Sequence, residues 1–179
     1  MFFKKCILAT VLVLKNIRHL ALLILLSSPM YLWAQEIDNP LVPLDIPLSV
    51  SGTFGEPRST HFHLGVDIKT QGKEGWEVKS VRPGYVSRIR VSTSGYGKTL
   101  YIDHPNKTTT VYAHLKKFAP KIEKLVKTLQ YQKESYTLQE FPKKREITID
   151  QGEVIGYSGN TGSSSGPHLH FEVRATDSQ

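Results

Sequence analysis

The sequence predicts a mainly β protein: an antiparallel β-sheet with a groove, plus one short helical insertion. From "LSVSGTFGEPRSTHFHLGVDIKT" onward, short alternating apolar and polar runs are separated by Gly, Pro, Asn and Ser, which is the pattern of strands and turns. "DHPNKT" supplies a hairpin turn between two such runs. Only "APKIEKLVKTLQYQ" repeats its apolar residues at helical spacing.

Taken in order, the expected strands are His61 to Lys69, Glu77 to Val81, Gly84 to Val91, Thr99 to Asp103, Thr109 to Leu115, Glu146 to Asp150, Glu153 to Tyr157 and His168 to Arg174. In the helix, Pro120 suits a first helical position, and Ile122, Leu125, Val126 and Leu129 form the apolar stripe. A further short strand and a basic loop, "KESYTLQEFPKKR", follow. The helix and its neighbours form an insertion, about residues 116–150, between two β segments.

The first 34 residues have another composition: four basic residues, no acidic one, two apolar blocks and a small residue at Ala34. Residues 1–34 therefore read as a signal peptide, 35–51 as an extended lead-in with three prolines, and 52–179 as one domain. Lys15, Asn16, Arg18 and His19 break the apolar run, which argues for export over a membrane anchor. The expected location is periplasmic or extracellular, with no membrane association once the leader is removed. Cys6 is the only cysteine, so any metal in the exported part must be held by His, Asp or Glu.

Removal of the four basic leader residues lowers the formal charge from +7 to +3 over 145 residues. The segment Lys116 to Asp150 alone carries +4, so the remainder is near neutral and a nucleic-acid surface is not expected. No H-E-x-x-H, P-loop or G-x-G-x-x-G motif is present. "GSSSG" matches the nucleophile-elbow pattern G-x-S-x-G, but an elbow needs a helix after it, and here Pro167 and a strand follow.

Histidine carries the chemistry. Read as a strand, "HFHLGVDIK" puts His61, His63, Gly65, Asp67 and Lys69 on one face and Phe62, Leu64, Val66 and Ile68 on a core face. In "HLHFEVR", His168, His170, Glu172 and Arg174 oppose Leu169, Phe171 and Val173; in "TVYAHL", Tyr112 and His114 oppose Val111, Ala113 and Leu115. Imidazoles and a carboxylate on three strands, without cysteine, point to a zinc-type site. Positions i and i+2 lie roughly 6.6 Å apart, so either or both of His168 and His170 can reach one ion. Positions i and i+4 lie roughly 13 Å apart in a straight strand, so His63 and Asp67 can share an ion only if the chain bends, and Gly65 allows it.

The segments "HFHLGVD", "YAHL" and "GNTGSSSGPHLHFEV", in that order, resemble the lysostaphin-like (LytM-type) zinc metallopeptidases, peptidase family M23, which cleave peptidoglycan. The resemblance runs from about Gly52 to Arg174, includes "GYV" and "SGYGKTLYIDH", and implies a duplicated-hybrid-motif-like peptidase domain. It implies that His63, Asp67 and His170 hold one zinc ion per chain and that His114 and His168 are the catalytic pair. His61 and His104 match no family ligand and read as structural or exposed. The implied substrate is the peptide cross-link of peptidoglycan; the rival reading is a non-catalytic wall-binding protein or an activator of another hydrolase. Two departures stand out. The chain ends nine residues after His170, earlier than the family pattern. The insertion is expected to wall the cleft, cover it or dock near it, or to offer a surface to a regulatory protein; if it covers the cleft, deleting Lys121 to Lys144 should raise activity.

Overall fold

The computed structural model describes residues 39–178 apart from residue 60; the predicted leader lies outside the described residues. Eleven strands and one α-helix are described: β1 (Val50–Gly52), β2 (Val66–Lys69), β3 (Glu77–Lys79), β4 (Gly84–Val91), β5 (Thr99–Asp103), β6 (Thr108–Ala113), β7 (Lys117–Phe118), α1 (Pro120–Gln132), β8 (Leu138–Glu140), β9 (Thr148–Ile149), β10 (Val154–Tyr157) and β11 (His168–Ala175). The large sheet runs β1-β2-β11-β6-β5-β4-β8, with β9 also on β4; the small sheet runs β3-β10-β7. Every pairing is antiparallel. The mainly β expectation is borne out.

The period-two pattern of β-branched and aromatic residues sets the two faces of the large sheet. Residues directly opposite in an antiparallel pair share a face, so the register Phe171↔Tyr112↔Leu100 marks one face and Asp67↔His170↔Ala113 the other. Ile68, Leu100, Ile102, Tyr112 and Leu169 bury against Val78, Ile155 and Phe118 of the small sheet. The core therefore lies between the two sheets and leaves the Asp67/His170 face free for chemistry. The β5–β6 hairpin closes through the turn read in the sequence, with the His104 N–H donating to the Thr108 carbonyl at 2.8 Å.

The helix starts at Pro120, buries Ile122 and Val126, and packs Leu125 and Leu129 partly against the core. Glu123 reaches back to accept the Phe118 N–H at 2.9 Å, placing a carboxylate in the first turn where the helix dipole favours it. The insertion is woven into both sheets: β7 pairs with β10, and β8 and β9 pair with β4. No cleft-lining residue comes from 116–150, so the expectation that the insertion walls or covers the cleft is corrected. Among the described residues of the lead-in, 39–51, Leu44 is buried and the Pro43 carbonyl accepts the Lys79 N–H at 2.9 Å.

Two further expectations are corrected. His61 to Gly65 do not continue β2. The backbone at Glu56 and Arg58 pairs with that at His63 and His61, and Phe62 bridges to Pro57. Phe62 and Leu64 accordingly point outward, at 65% and 49% exposure, instead of joining the core. On β11, Val173 is likewise exposed, because the strand's last residues extend past the core.

Candidate metal centre

Strand pairing puts Asp67 of β2 directly opposite His170 of β11. His63 arrives from the loop before β2, over a bend at Gly65. A side chain at Gly65 would meet the Phe171 carbonyl at 2.3 Å and Glu172 Cγ at 2.7 Å, so only glycine lets the chain cross β11 this closely. The bend brings His63 Nε2 to 3.0 Å from Asp67 Oδ1 and 2.9 Å from His170 Nδ1; His170 Nδ1 lies 2.9 Å from the same Oδ1. All three residues are buried.

The far sides of the rings define what these atoms can do. His63 Nδ1 lies 2.8 Å from the Thr53 carbonyl, an acceptor, so this nitrogen carries the proton. His170 Nε2 lies 2.8 Å from Glu172 Oε1, again an acceptor. With those nitrogens donating outward, His63 Nε2 and His170 Nδ1 both aim lone pairs at each other and at a carboxylate oxygen. Three acceptors this close require a cation between them, either a proton or a metal ion. Two imidazole nitrogens and one carboxylate oxygen suit zinc.

Electrostatics agree. Burial pushes the Asp67 carboxyl upward, but the imidazoles of His168, His170 and His63 around it win and hold it far below the usual carboxylate range. Burial opposes protonation of His170, yet Asp67 and Glu172 raise its pKa. Glu172 is fully buried and accepts from His170, Arg174 and the Tyr96 hydroxyl, the last at 2.6 Å. Against burial, these bonds keep its pKa low, while burial and the Glu172 contact push the Tyr96 phenol well above its usual value. The Tyr96 ring lies 4.8 Å from that of His170. Sequence reading placed Glu172 on the histidine face but gave no role to it, to Tyr96 or to Arg58, whose Nη2 donates to Asp67 Oδ2 at 2.9 Å. The signal for Glu172 was its i+2 spacing from His170.

His168 and His114 stand beside this cluster, with ring centroids 4.7 Å apart. His168 is half-buried; its Nε2 lies 3.5 Å from Asp67 Oδ1 and its Nδ1 donates to the Gly166 carbonyl at 2.8 Å. His114 follows the end of β6 with φ of 57°. That left-handed turn carries its ring off the Tyr112 face, which belongs to the core, and onto the opposite face, correcting the alternation expected in "TVYAHL". Its Nδ1 donates to the Thr161 carbonyl at 2.7 Å. Burial pushes the His114 pKa down to about 4, below the ordinary histidine value.

These five residues line a cleft of about 460 Å³, together with Tyr96, Ser163, Ser164 and Ser165. His61 is exposed and lines the same cleft. His104 is buried elsewhere, with Nδ1 at 2.8 Å from the Pro83 carbonyl and Nε2 at 2.7 Å from Thr110 Oγ1. Because Pro167 and β11, and no helix, follow "GSSSG", no elbow forms, and the Ser164 hydroxyl instead donates to the Gly166 carbonyl at 2.9 Å.

The sequence matches the description "Peptidase family M23" over residues 61–131 and 128–179. It is 31% identical over 112 residues to the DD-carboxypeptidase/endopeptidase Mpg of Neisseria meningitidis serogroup B, covering 63% of this chain and 20% of that protein. The chain thus spans about a fifth of the length of the curated relatives it matches. A zinc-containing peptidase from Vibrio cholerae shares the structure with a TM-score of 0.55 and 26% identity, over 75% of this chain and 36% of the other. The antimicrobial peptidase lysostaphin of Staphylococcus simulans shares the fold at 22% identity, with a TM-score of 0.52 over 72% of this chain and 43% of the other. With the sequence match running through all five clustered residues, the chain belongs to peptidase family M23.

Proposed function

We propose that the chain is an exported zinc endopeptidase that hydrolyses peptide bonds in the cross-links of bacterial peptidoglycan. The observation that carries this reading is the convergence of His63 Nε2, Asp67 Oδ1 and His170 Nδ1, each within 3.0 Å of the others, with both rings' remaining nitrogens bound to acceptors. Zinc held by these three atoms would supply a Lewis acid for the scissile carbonyl and a water of pKa near ~7.

The chain's own residues supply the proton handling. His114, with its pKa pushed to about 4 and Nδ1–H committed to Thr161, is neutral at pH 7 and offers an Nε2 lone pair to a water proton. His168 is more exposed, faces Asp67 through Nε2, and is the better placed of the two to pass a proton to the leaving amine. The seryl rim of Ser163 to Ser165 offers hydroxyls to a peptide backbone. A peptide with D,D-bonds, as in wall cross-links, is supported by the similarity to the Neisseria DD-carboxypeptidase/endopeptidase; export is supported by the leader composition.

Metal analysis tests the reading. The full chain recovered from an exporting host should hold one zinc per molecule, lost in Asp67→Ala. A chain that takes up no zinc would contradict it and favour the non-catalytic reading.

A further inference from the structure

We propose that Arg58 is a positioning residue for this centre: its guanidinium occupies one oxygen of Asp67, so that the other alone is presented to the ion. The proposal rests on the zinc reading above. Arg58 Nη2 donates to Asp67 Oδ2 at 2.9 Å, whereas Oδ1 is the oxygen that meets His63 and His170. The two oxygens of one carboxylate thus have separate partners.

Arg58 is itself braced. Its Nη2 lies 3.4 Å from Glu56 Oε2, and that oxygen also accepts the Thr53 N–H at 3.2 Å. The Thr53 carbonyl in turn fixes His63 through Nδ1. One segment, Gly52 to Arg58, therefore holds the outer sides of two of the three ligands. Gly52 makes the room: a Cβ there would lie 2.5 Å from both Arg58 Nη2 and Asp67 Oδ2.

A free carboxylate can bind a cation through one oxygen or both. A second oxygen on zinc would take up a place that water or the substrate carbonyl needs. The planar guanidinium suits carboxylate oxygens and keeps its charge at all working pH values, so it can hold Oδ2 away permanently. The pair joins a guanidinium that is 37% exposed to a carboxylate that is only 11% exposed, so losing it also costs the metal-free chain some stability. A changed coordination spectrum, which a purely structural role would not produce, separates the two roles.

Cobalt(II) reports both affinity and coordination number. The full chain, Arg58→Gln and Arg58→Lys are titrated with Co²⁺ against a chelator, with visible spectra and thermal melts recorded. The full chain should bind one equivalent with an intense four-coordinate spectrum. Arg58→Gln should bind about 10–100-fold more weakly, with a weaker spectrum as Oδ2 joins the ion, while its metal-free melt keeps one cooperative transition. Arg58→Lys should recover affinity to within a few-fold. Unchanged or tighter affinity in Arg58→Gln, an unchanged spectrum, or a loss that lysine does not recover would each overturn the proposal. A wild-type chain that takes up no Co²⁺ would instead sink the zinc reading beneath it.

Discussion

At the β2–β11–β6 end of the large sheet, the face turned away from the core carries Asp67, His170 and Glu172, all buried. At the β4–β8 end, the same face carries Arg88 and Gln139, hydrogen-bonded at 2.6 Å. There Arg88 also lies over Tyr101 and Phe141, at 4.9 and 5.5 Å from the ring centroids. Both ends are antiparallel strands of one sheet, yet they use their polar residues differently. Buried ionisable groups are costly unless paired, and at the first end the pairing is incomplete without a cation. At the second end a half-buried Arg88 meets an exposed amide and two aromatic rings through its outer atoms, and the insertion adds core through Ile122 and Val126. The difference teaches that one end is built for chemistry and the other for stability.

The largest break in this comparison should come from His170→Ala. Metal uptake should vanish and the rate should fall by several kcal/mol in barrier, on the order of a thousandfold or more, measured as released wall peptide per folded protein. At the other end, Ile122→Ala should cost about 2–5 kcal/mol of stability by chemical denaturation. The activity of the fraction that stays folded should not change. Deleting Lys121 to Lys144 should unfold the chain and not activate it, since Ile122, Val126 and Leu138 would be lost from the core.

Smaller effects sharpen the contrast. Glu172→Gln keeps an acceptor for His170 and Tyr96 but removes the charge behind the imidazole. Metal affinity should fall by about 10–100-fold in a competition titration. The smallest change is expected for Lys133→Ala, which removes a partly exposed ion pair to Glu140 at 3.1 Å. Its effect should stay within about 0–1 kcal/mol of stability, with metal content and activity unaffected.

The strands and the helix were legible because their periodicity is local: Pro120 and the Ile122–Val126 spacing announce α1, and "HLHFEVR" announces β11. The histidines were legible as candidates because they alternate with apolar residues in the sequence. What alternation could not give was direction where the chain leaves regular structure. Gly65 turns His63 back toward Asp67 only because β11 passes within touching distance, a tertiary fact. His114 reaches the cleft through one left-handed backbone angle that no neighbouring glycine signals. Arg58 and Tyr96 escaped notice because their partners, Asp67 and Glu172, lie 9 and 76 residues away in the chain. The insertion's place at the β4 edge depends on β8 and β9, two short strands whose partner is chosen by the whole sheet.

Zinc-dependent cleavage of wall peptide is the activity proposed for the chain. Mass spectrometry of the fragments that the full chain releases from purified peptidoglycan, with zinc, with chelator and with His168→Ala, tests it directly. New peptide ends should appear with zinc and be absent with chelator and in the variant. Zinc-loaded, folded protein that releases no new ends, or release that persists in His168→Ala, would contradict the account.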